Sequence, residues 1–345
     1  MNRRIWVQSS AAALALAAFE TSGLNFSSSE KRYRVALIGT GWYGKSDLFR
    51  LIQVAPVDVV GLCDADENYL KEAEALVKQR SPHSRPKLFR RHEELLKDTK
   101  PEIVLIGTPD HWHALTCIDA LRAGAHVYVQ KPISVDVIEG EAMVAAARKY
   151  NRVVQVGLQR RSTPHLLDAK KQVLDAGLLG KIKHVEMCCY YHMRNKSNPA
   201  LQTVPDFLDY ERWSGPAPLR PYDGLPHQGW WRAFMEYGNG IVGDMCVHMF
   251  DAVRFMLNLG WPERISSTGG IYMDKEAKSN ISDTQTAIFE YPELNCVWQH
   301  RTWGTSVNPD YPWAFTLYGE KGTLWFSTTR YDFYPADGGE GIHAD

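Results

Sequence analysis

The 345-residue chain predicts an α/β domain followed by an α+β domain with a largely antiparallel sheet. Three observations carry this reading. From Val35 to Val156, apolar runs alternate with amphipathic stretches, as parallel strands joined by right-handed helical crossovers would. The first run, Val35-Ala36-Leu37-Ile38, is continuously apolar, which suits a strand buried on both faces, and it passes straight into a G-x-G-x-x-G turn. From Lys181 onward the alternation gives way to strand-like runs separated by turn residues.

The turn is Gly39-Thr40-Gly41-Trp42-Tyr43-Gly44. Gly39 permits the tight turn, Gly41 lets backbone approach a pyrophosphate, and Gly44 lets helix pack on strand. A helix with Leu48, Leu51 and Ile52 on one face follows, and its unpaired N-terminal N–H groups suit phosphate. A second apolar strand, Val57 to Leu62, leads to Asp64, twenty residues after Gly44. A carboxylate there accepts from an adenosine ribose and repels a 2′-phosphate, which favours NAD over NADP. Strand, glycines, helix, strand and acid in this order describe a Rossmann dinucleotide-binding domain. A glycine-rich turn in another α/β fold is the alternative. Gly39, Thr40, Gly41, Tyr43, Gly44 and Asp64 are the expected cofactor contacts.

A formal net charge of −1 points to neither nucleic acid nor a membrane surface. The six cysteines show no C-x-x-C spacing, so they read as thiols rather than as a zinc or redox motif, and no metal site is expected. At the start, Arg3-Arg4 precedes an uncharged Ala-rich run, Ser9 to Phe19, too short and mild to span a bilayer. The pattern resembles a twin-arginine export signal with a cleavage site near Ala15-Leu16-Ala17, which places the protein in the periplasm. A frayed N-terminal helix on a cytoplasmic enzyme is the alternative. The expected division is therefore 1–30 signal and linker, 31–157 nucleotide domain and 158–345 second domain.

Later strands of the nucleotide domain end in polar clusters. Glu102–Ile106 runs into Gly107-Thr108-Pro109-Asp110-His111-Trp112-His113, and His126–Val129 runs into Gln130-Lys131-Pro132. A helix from Val135 to Tyr150 and a strand from Val153 to Val156 lead to Gln159-Arg160-Arg161. Ligands of parallel sheets sit beyond the carboxyl ends of the strands, so these clusters are expected to converge on one crevice. In the second domain a strand, Lys181 to His192, precedes a long irregular stretch, Arg194 to Asn239, rich in Pro, Gly and aromatics. A helix from Gly243 to Leu257, five strand-like runs and a polar tail, Asp337 to Asp345, complete the chain. Asp244, His248 and Asp251 fall at i, i+4 and i+7 on that helix. Taken alone they read as a structural polar stripe or as a metal-binding set.

Five stretches in order resemble the Gfo/Idh/MocA family of oxidoreductases: residues 39–44, 108–113, 130–132, 155–162 (Gln-Val-Gly-Leu-Gln-Arg-Arg-Ser) and 240–248 (Gly-Ile-Val-Gly-Asp-Met-Cys-Val-His). The resemblance spans about residues 33 to 330. One departure is Gln130, where the family has Glu before Lys-Pro; an amide positions a lysine without lending negative charge. The resemblance implies an open sheet in the second domain with a face used for oligomerisation, as a dimer or tetramer, and relatives that continue beyond this C-terminus. It also implies His248 as acid/base, Asp244 as the carboxylate orienting it, and Lys131 as the group bonding the reacting oxygen. Asp251 matches no catalytic position. Thr108, Pro109, His113, Lys131 and Gln159 join the expected cofactor contacts. Arg160, Arg161, Tyr222, Trp231 and Arg232 are the expected contacts of a carbohydrate substrate, since sugars present hydroxyl edges and apolar faces. Three functions are compatible with these motifs: an NAD(P)-dependent oxidoreductase of a sugar, polyol or glycoside, a redox-neutral NAD-dependent glycosidase or lyase, and a non-catalytic scaffold.

Overall fold

The computed structural model describes residues 31–191 and 194–345. The twin-arginine-like start lies outside the described residues. Among those residues no helix is long and apolar enough to cross a membrane. The chain forms two compact units. Among the described residues the first comprises 31–108, Thr116–Tyr128 and Ala146–Val154; the second comprises Pro109–Leu115, Val129–Ala145, 155–191 and 194–345. Two segments from inside the nucleotide-binding region of the sequence, Pro109–Leu115 and Val129–Ala145, thus pack as part of the second unit.

The first sheet has six strands: β1 (Tyr33–Ile38), β2 (Val57–Cys63), β3 (Lys87–Phe89), β4 (Ile103–Ile106), β5 (His126–Gln130) and β6 (Val154–Gly157). Their order is β3-β2-β1-β4-β5-β6, with β1 at the point where the order reverses. Beside β1, the pairings to β2 and β4 are both parallel. Val35, Leu37, Val59 and Leu62 from the strands pack with Leu48, Leu70, Ala73 and Val77 from the helices. The helix Glu67–Arg80 begins at Asp66, whose carboxylate accepts from the N–H groups of Asn68 and Tyr69. Strand β3 and the helix His92–Thr99 have no counterpart in the sequence reading. β3 is three residues long and two of them are exposed, so it carries no alternation to detect.

The second sheet has eight strands: β7 (Ile182–Cys189), β8 (Arg264–Gly270), β9 (Thr284–Tyr291), β10 (Leu294–Arg301), β11 (Trp313–Gly319), β12 (Gly322–Ser327), β13 (Tyr331–Pro335) and β14 (Ile342–Ala344). The order is β14-β13-β12-β11-β7-β10-β9-β8. It is mixed rather than uniformly antiparallel, because β7 and β10 run parallel while β7–β11 and β9–β10 are antiparallel. The expected polar tail is partly a strand: Ile342 to Ala344 pair with Tyr331 to Phe333. Asp332 supplies the reason, since its buried carboxylate accepts from Tyr311 Oη and lies 2.7 Å from His343 Nδ1, tying the tail down by a contact distant in sequence.

The core of this unit joins Val185 and Met187 of β7, Trp298, Phe315 and Phe326 of the sheet, and Met245, Met249, Val253 and Met256. The long irregular stretch is ordered by burial of its aromatics. Tyr210, Trp213, Tyr222, Phe234 and Tyr237 are all buried, with ring centroids 4.9 to 6.4 Å apart in the contacting pairs. Arg194, 3% exposed, closes it by donating to the carbonyls of Asp274, Ser279 and Ile281.

Candidate active site

In the first unit the glycine loop is built by backbone contacts that leave no room for side chains. Gly39 has φ 87°, and a Cβ there would meet the backbone N of Thr108 at 2.5 Å. A Cβ on Gly44 would meet the Gly39 carbonyl oxygen at 2.0 Å. A Cβ on Gly41 would meet nothing within 4 Å, so the loop is open there. Gly41 also stands at the N-terminus of the helix Trp42–Val54, with no side chain capping its first turn and no acid within it. Open backbone at a helix start with no capping side chain suits a phosphate. Asp64 Oδ2 accepts from Thr40 N at 2.6 Å and Thr40 Oγ1 at 3.1 Å, while Oδ1 accepts from Asp66 N at 3.0 Å. The carboxylate therefore also clamps the glycine loop, which its sequence position did not disclose. Burial lifts its pKa above the ordinary carboxylate value, and the bonds from Asp66 and Thr40 offset part of that. These residues fit a dinucleotide.

In the second unit the expected reacting residues meet. Lys131, just beyond β5, is 8% exposed and its ammonium is bonded to the Asp244 carboxylate and, at 2.8 Å, to the Asp244 carbonyl. Arg232 Nε lies 3.1 Å from the same carboxylate oxygen. The expected helix from Gly243 starts differently: Val242–Cys246 is a π-helical turn, and the α-helix runs from Val247 to Leu257. A π turn relaxes the regular hydrogen-bond ladder, and two of its carbonyls accept from side chains, Asp244 O from Lys131 and Met245 O from Trp313 Nε1 at 3.2 Å. Sequence periodicity does not register such a turn, because the residues keep helical spacing.

His248 is 4% exposed, its ring lies edge-on to Trp313 at 5.2 Å, and its Nδ1 has no hydrogen-bond partner among the described residues. Burial lowers its pKa to about 3, helped by the charges of Lys131, Arg160 and Arg232 and opposed by Asp244. The imidazole is neutral. Burial alone would raise Asp244, but the charges of Arg232 and Lys131 and the hydrogen bond from Lys131 outweigh it and hold the group below the usual carboxylate value. Asp110, which the sequence reading assigned no role, is 2% exposed and coupled to Arg232, Asp244 and Lys131. Its burial raises it well above the ordinary range. A lone acid in a polar motif gives no sequence signal for this; only the fold brings it to the cations.

Several expected contacts are placed elsewhere. Arg161 makes a two-pronged pair with Asp251, at 2.8 and 2.5 Å, and lies over the Phe255 ring, so it fastens its segment to the helix Val247–Leu257. Tyr222 is buried against Tyr210 and His227 and is a packing residue. His113 is 1% exposed with Nδ1 2.6 Å from the Pro132 carbonyl, where it braces the turn after Lys131. Trp231 is partly exposed and stacks on the Arg232 guanidinium at 3.9 Å. Arg160 is partly exposed, 5.1 Å over the Trp313 ring. Gln159 is partly exposed beside it, in the short helical turn Gln159–Ser162. Thr108 and Tyr43 belong to the first unit, Pro109 to the second. Among the described residues no His/Cys/Asp/Glu group could hold a metal, and all six cysteines are free.

Two family models match, "Oxidoreductase family, NAD-binding Rossmann fold" over residues 33–158 and "Oxidoreductase family, C-terminal alpha/beta domain" over 167–267. The chain belongs to the Gfo/Idh/MocA family. Its first part is accordingly an NAD-binding Rossmann domain. The chain is 26% identical over 186 residues to an inositol 2-dehydrogenase/D-chiro-inositol 3-dehydrogenase of Lactiplantibacillus plantarum, covering 52% of this chain and 51% of that protein. It is 27% identical over 112 residues to glycosyl hydrolase family 109 protein 1 of Akkermansia muciniphila, covering 31% and 23%. The chain thus spans about half or less of the length of these curated relatives. A levoglucosan dehydrogenase solved with NADH and levoglucosan shares the fold, with a TM-score of 0.68 and 18% identity over 91% of this chain and 79% of that one.

The pairing of Arg161 with Asp251 leads to a specific expectation. Arg161→Ala should leave kcat/KM within about twofold of the unaltered protein while lowering stability by about 1 kcal/mol, because a mostly buried carboxylate loses its partner. Steady-state kinetics and thermal denaturation check both halves, and a tenfold loss of kcat/KM would return Arg161 to the substrate.

Proposed function

We propose that this protein is an NAD-dependent dehydrogenase of a sugar, polyol or glycoside. The observation that carries the reading is the buried Lys131 ammonium. Two of its three N–H donors are held by Asp244, which leaves one for a ligand oxygen beside a neutral, buried His248. Oxidation of a secondary alcohol needs a base for the hydroxyl proton and a donor for the oxygen as negative charge grows on it. Neutral His248 accepts the proton, and the unpartnered Nδ1 is a free polar atom at that position. Lys131 donates to the oxygen. Asp244 fixes the ammonium and, through its charge, favours the imidazolium that forms. Gly39, Thr40, Gly41, Gly44 and Asp64 would hold NAD, which would supply the hydride acceptor. The dehydrogenase relatives support an alcohol of the sugar or polyol class. The twin-arginine-like start supports export to the periplasm. An open sheet whose edge strand β8 is exposed along nearly its whole length supports a homo-oligomer, dimer or tetramer.

The reacting centre is tested by Lys131→Met and His248→Ala. Each should lower kcat about a hundredfold or more, with NAD still bound. The base acts only when neutral, so activity is lost as pH falls through its pKa. In the unaltered protein the acid limb of kcat/KM for His248 should lie near 3, not near 6.5. A panel of sugars, polyols and aryl glycosides, followed by nicotinamide absorbance and by product release together, reads the chemistry. Near-normal turnover by His248→Ala, or glycoside cleavage without net cofactor reduction, would contradict the proposal.

Cofactor choice is tested at Asp64. Asp64→Ala removes both the acceptor for the ribose and the clamp on Thr40, so NAD affinity should fall about tenfold and the preference over NADP should shrink. Titration of cofactor fluorescence with both nucleotides checks it; unchanged NAD binding, or tighter binding of NADP by the unaltered protein, would count against it.

A further inference from the structure

Trp231 is an expected substrate contact, yet its ring is engaged within the protein on two sides. Its face carries the Arg232 guanidinium, 3.9 Å from the ring centre. Its edge atom Cζ3 lies 3.4 Å from the point where a Cβ on Gly238 would stand, and Asp110 Oδ2 lies 3.1 Å from that same point. Asp110 follows β4 in the turn Asp110–Trp112, Trp231 opens the turn Trp231–Ala233, and Gly238 is buried. Three segments of the second unit thus close on one point. Gly238 does not have a positive φ, so its backbone would accept a side chain. What a side chain lacks there is space. Both contacts would be tighter than a Cβ ordinarily tolerates, and the carboxyl or the indole would have to yield.

The other end of this contact chain is the reacting centre. Arg232 Nε lies 3.1 Å from Asp244 Oδ1, and the same oxygen accepts from the Lys131 ammonium. One buried carboxylate oxygen therefore stands between two cations. Lys131 is anchored a second time by the Asp244 carbonyl, at 2.8 Å. Arg232 is 35% exposed along its side chain, and the Trp231 face confines it. Resting on the dehydrogenase reading above, we infer that Trp231 is a positioning residue of that reaction: seated against Asp110 and Gly238, its ring holds Arg232 on Asp244 and so fixes the carboxylate that aims the Lys131 ammonium. Gly238 is the second part of the device, because its missing side chain leaves the indole its seat. The charge of Arg232 also reaches His248, where it acts with Lys131 and Arg160 against Asp244. A displaced Arg232 would leave a more basic imidazole.

The test uses the full chain with its nicotinamide cofactor bound. Trp231→Leu fills much of the same space without a ring face, and Trp231→Phe keeps the face. Crystal structures of the NADH complexes read the position directly: Arg232 should leave Asp244 in the leucine variant and stay in the phenylalanine variant. With the substrate that the panel of sugars and polyols selects, Trp231→Leu should lower kcat about tenfold and change KM by less than about threefold, while Trp231→Phe should keep kcat within about threefold. The acid limb of kcat/KM should move up from near 3 in Trp231→Leu, as it should in Arg232→Gln. On the Arg232→Gln background Trp231→Leu should have no further effect, since it acts through that arginine. Gly238→Ala should resemble a weaker Trp231→Leu, and adding Trp231→Phe, whose smaller ring gives up the Cζ3 contact, should recover part of the loss. An Arg232 that stays on Asp244 without the ring, a rise in KM with kcat intact, or losses that multiply in the double variant would overturn the inference. If no member of the panel reduces the cofactor, the dehydrogenase reading falls, and the crystal structures still decide whether Trp231 seats Arg232.

Discussion

The second unit depends on one buried ion pair. Lys131 and Asp244 are each nearly out of solvent, and neither charge could be kept there alone. Removing one partner from such a pair costs about 3–5 kcal/mol, because the other is left buried and uncompensated. The structure surrounds the pair with further satisfaction: the Asp244 carbonyl takes a second Lys131 proton and Arg232 approaches the carboxylate from another side. Gln130, in place of the family's glutamate, adds no charge, so the carboxylate bonded to the Lys131 ammonium is that of Asp244. The Gln130 side-chain oxygen accepts from Lys131 N at 3.2 Å, a positioning contact that an amide makes as well as an acid.

The helix that supplies Asp244 and His248 is shaped for this. A regular α-helix would direct each carbonyl along its axis to the next turn. In the π turn Val242–Cys246 the carbonyls of Asp244 and Met245 also accept from Lys131 and Trp313. Trp313 then lies against His248 and beneath Arg160. One local widening of a helix thus links ammonium, imidazole and guanidinium, and the link is made by hydrogen bonds and ring contacts rather than by flexible loops.

What the sequence disclosed follows from the range of each interaction. The β1 run, the glycine turn and Asp64 are local, so Gly39, Gly44 and the parallel strands around them were readable directly. Lys131, Asp244 and His248 were readable through family motifs, and the fold brings them together. Asp110 was not, because its burial, and the charges of Arg232 and Lys131 that act on it, come from segments distant in sequence. The partners of Arg161 and Tyr222 were not readable for the complementary reason. Composition showed arginines and aromatics in the right stretches, but not that Asp251 would claim one and the aromatic core the other. The polar tail concealed β14 because its anchor, Asp332, is buried by Tyr311 from another strand connection.

The central claim is that Lys131 and Asp244 act as one unit in the reaction. A double-mutant cycle on kcat, with Lys131→Met, Asp244→Asn and the pair combined, measures it most directly. The account predicts strong non-additivity, with the double variant about as active as the worse single one, and NAD binding retained in all three. Losses that simply multiply would show that the two residues act independently and would contradict it.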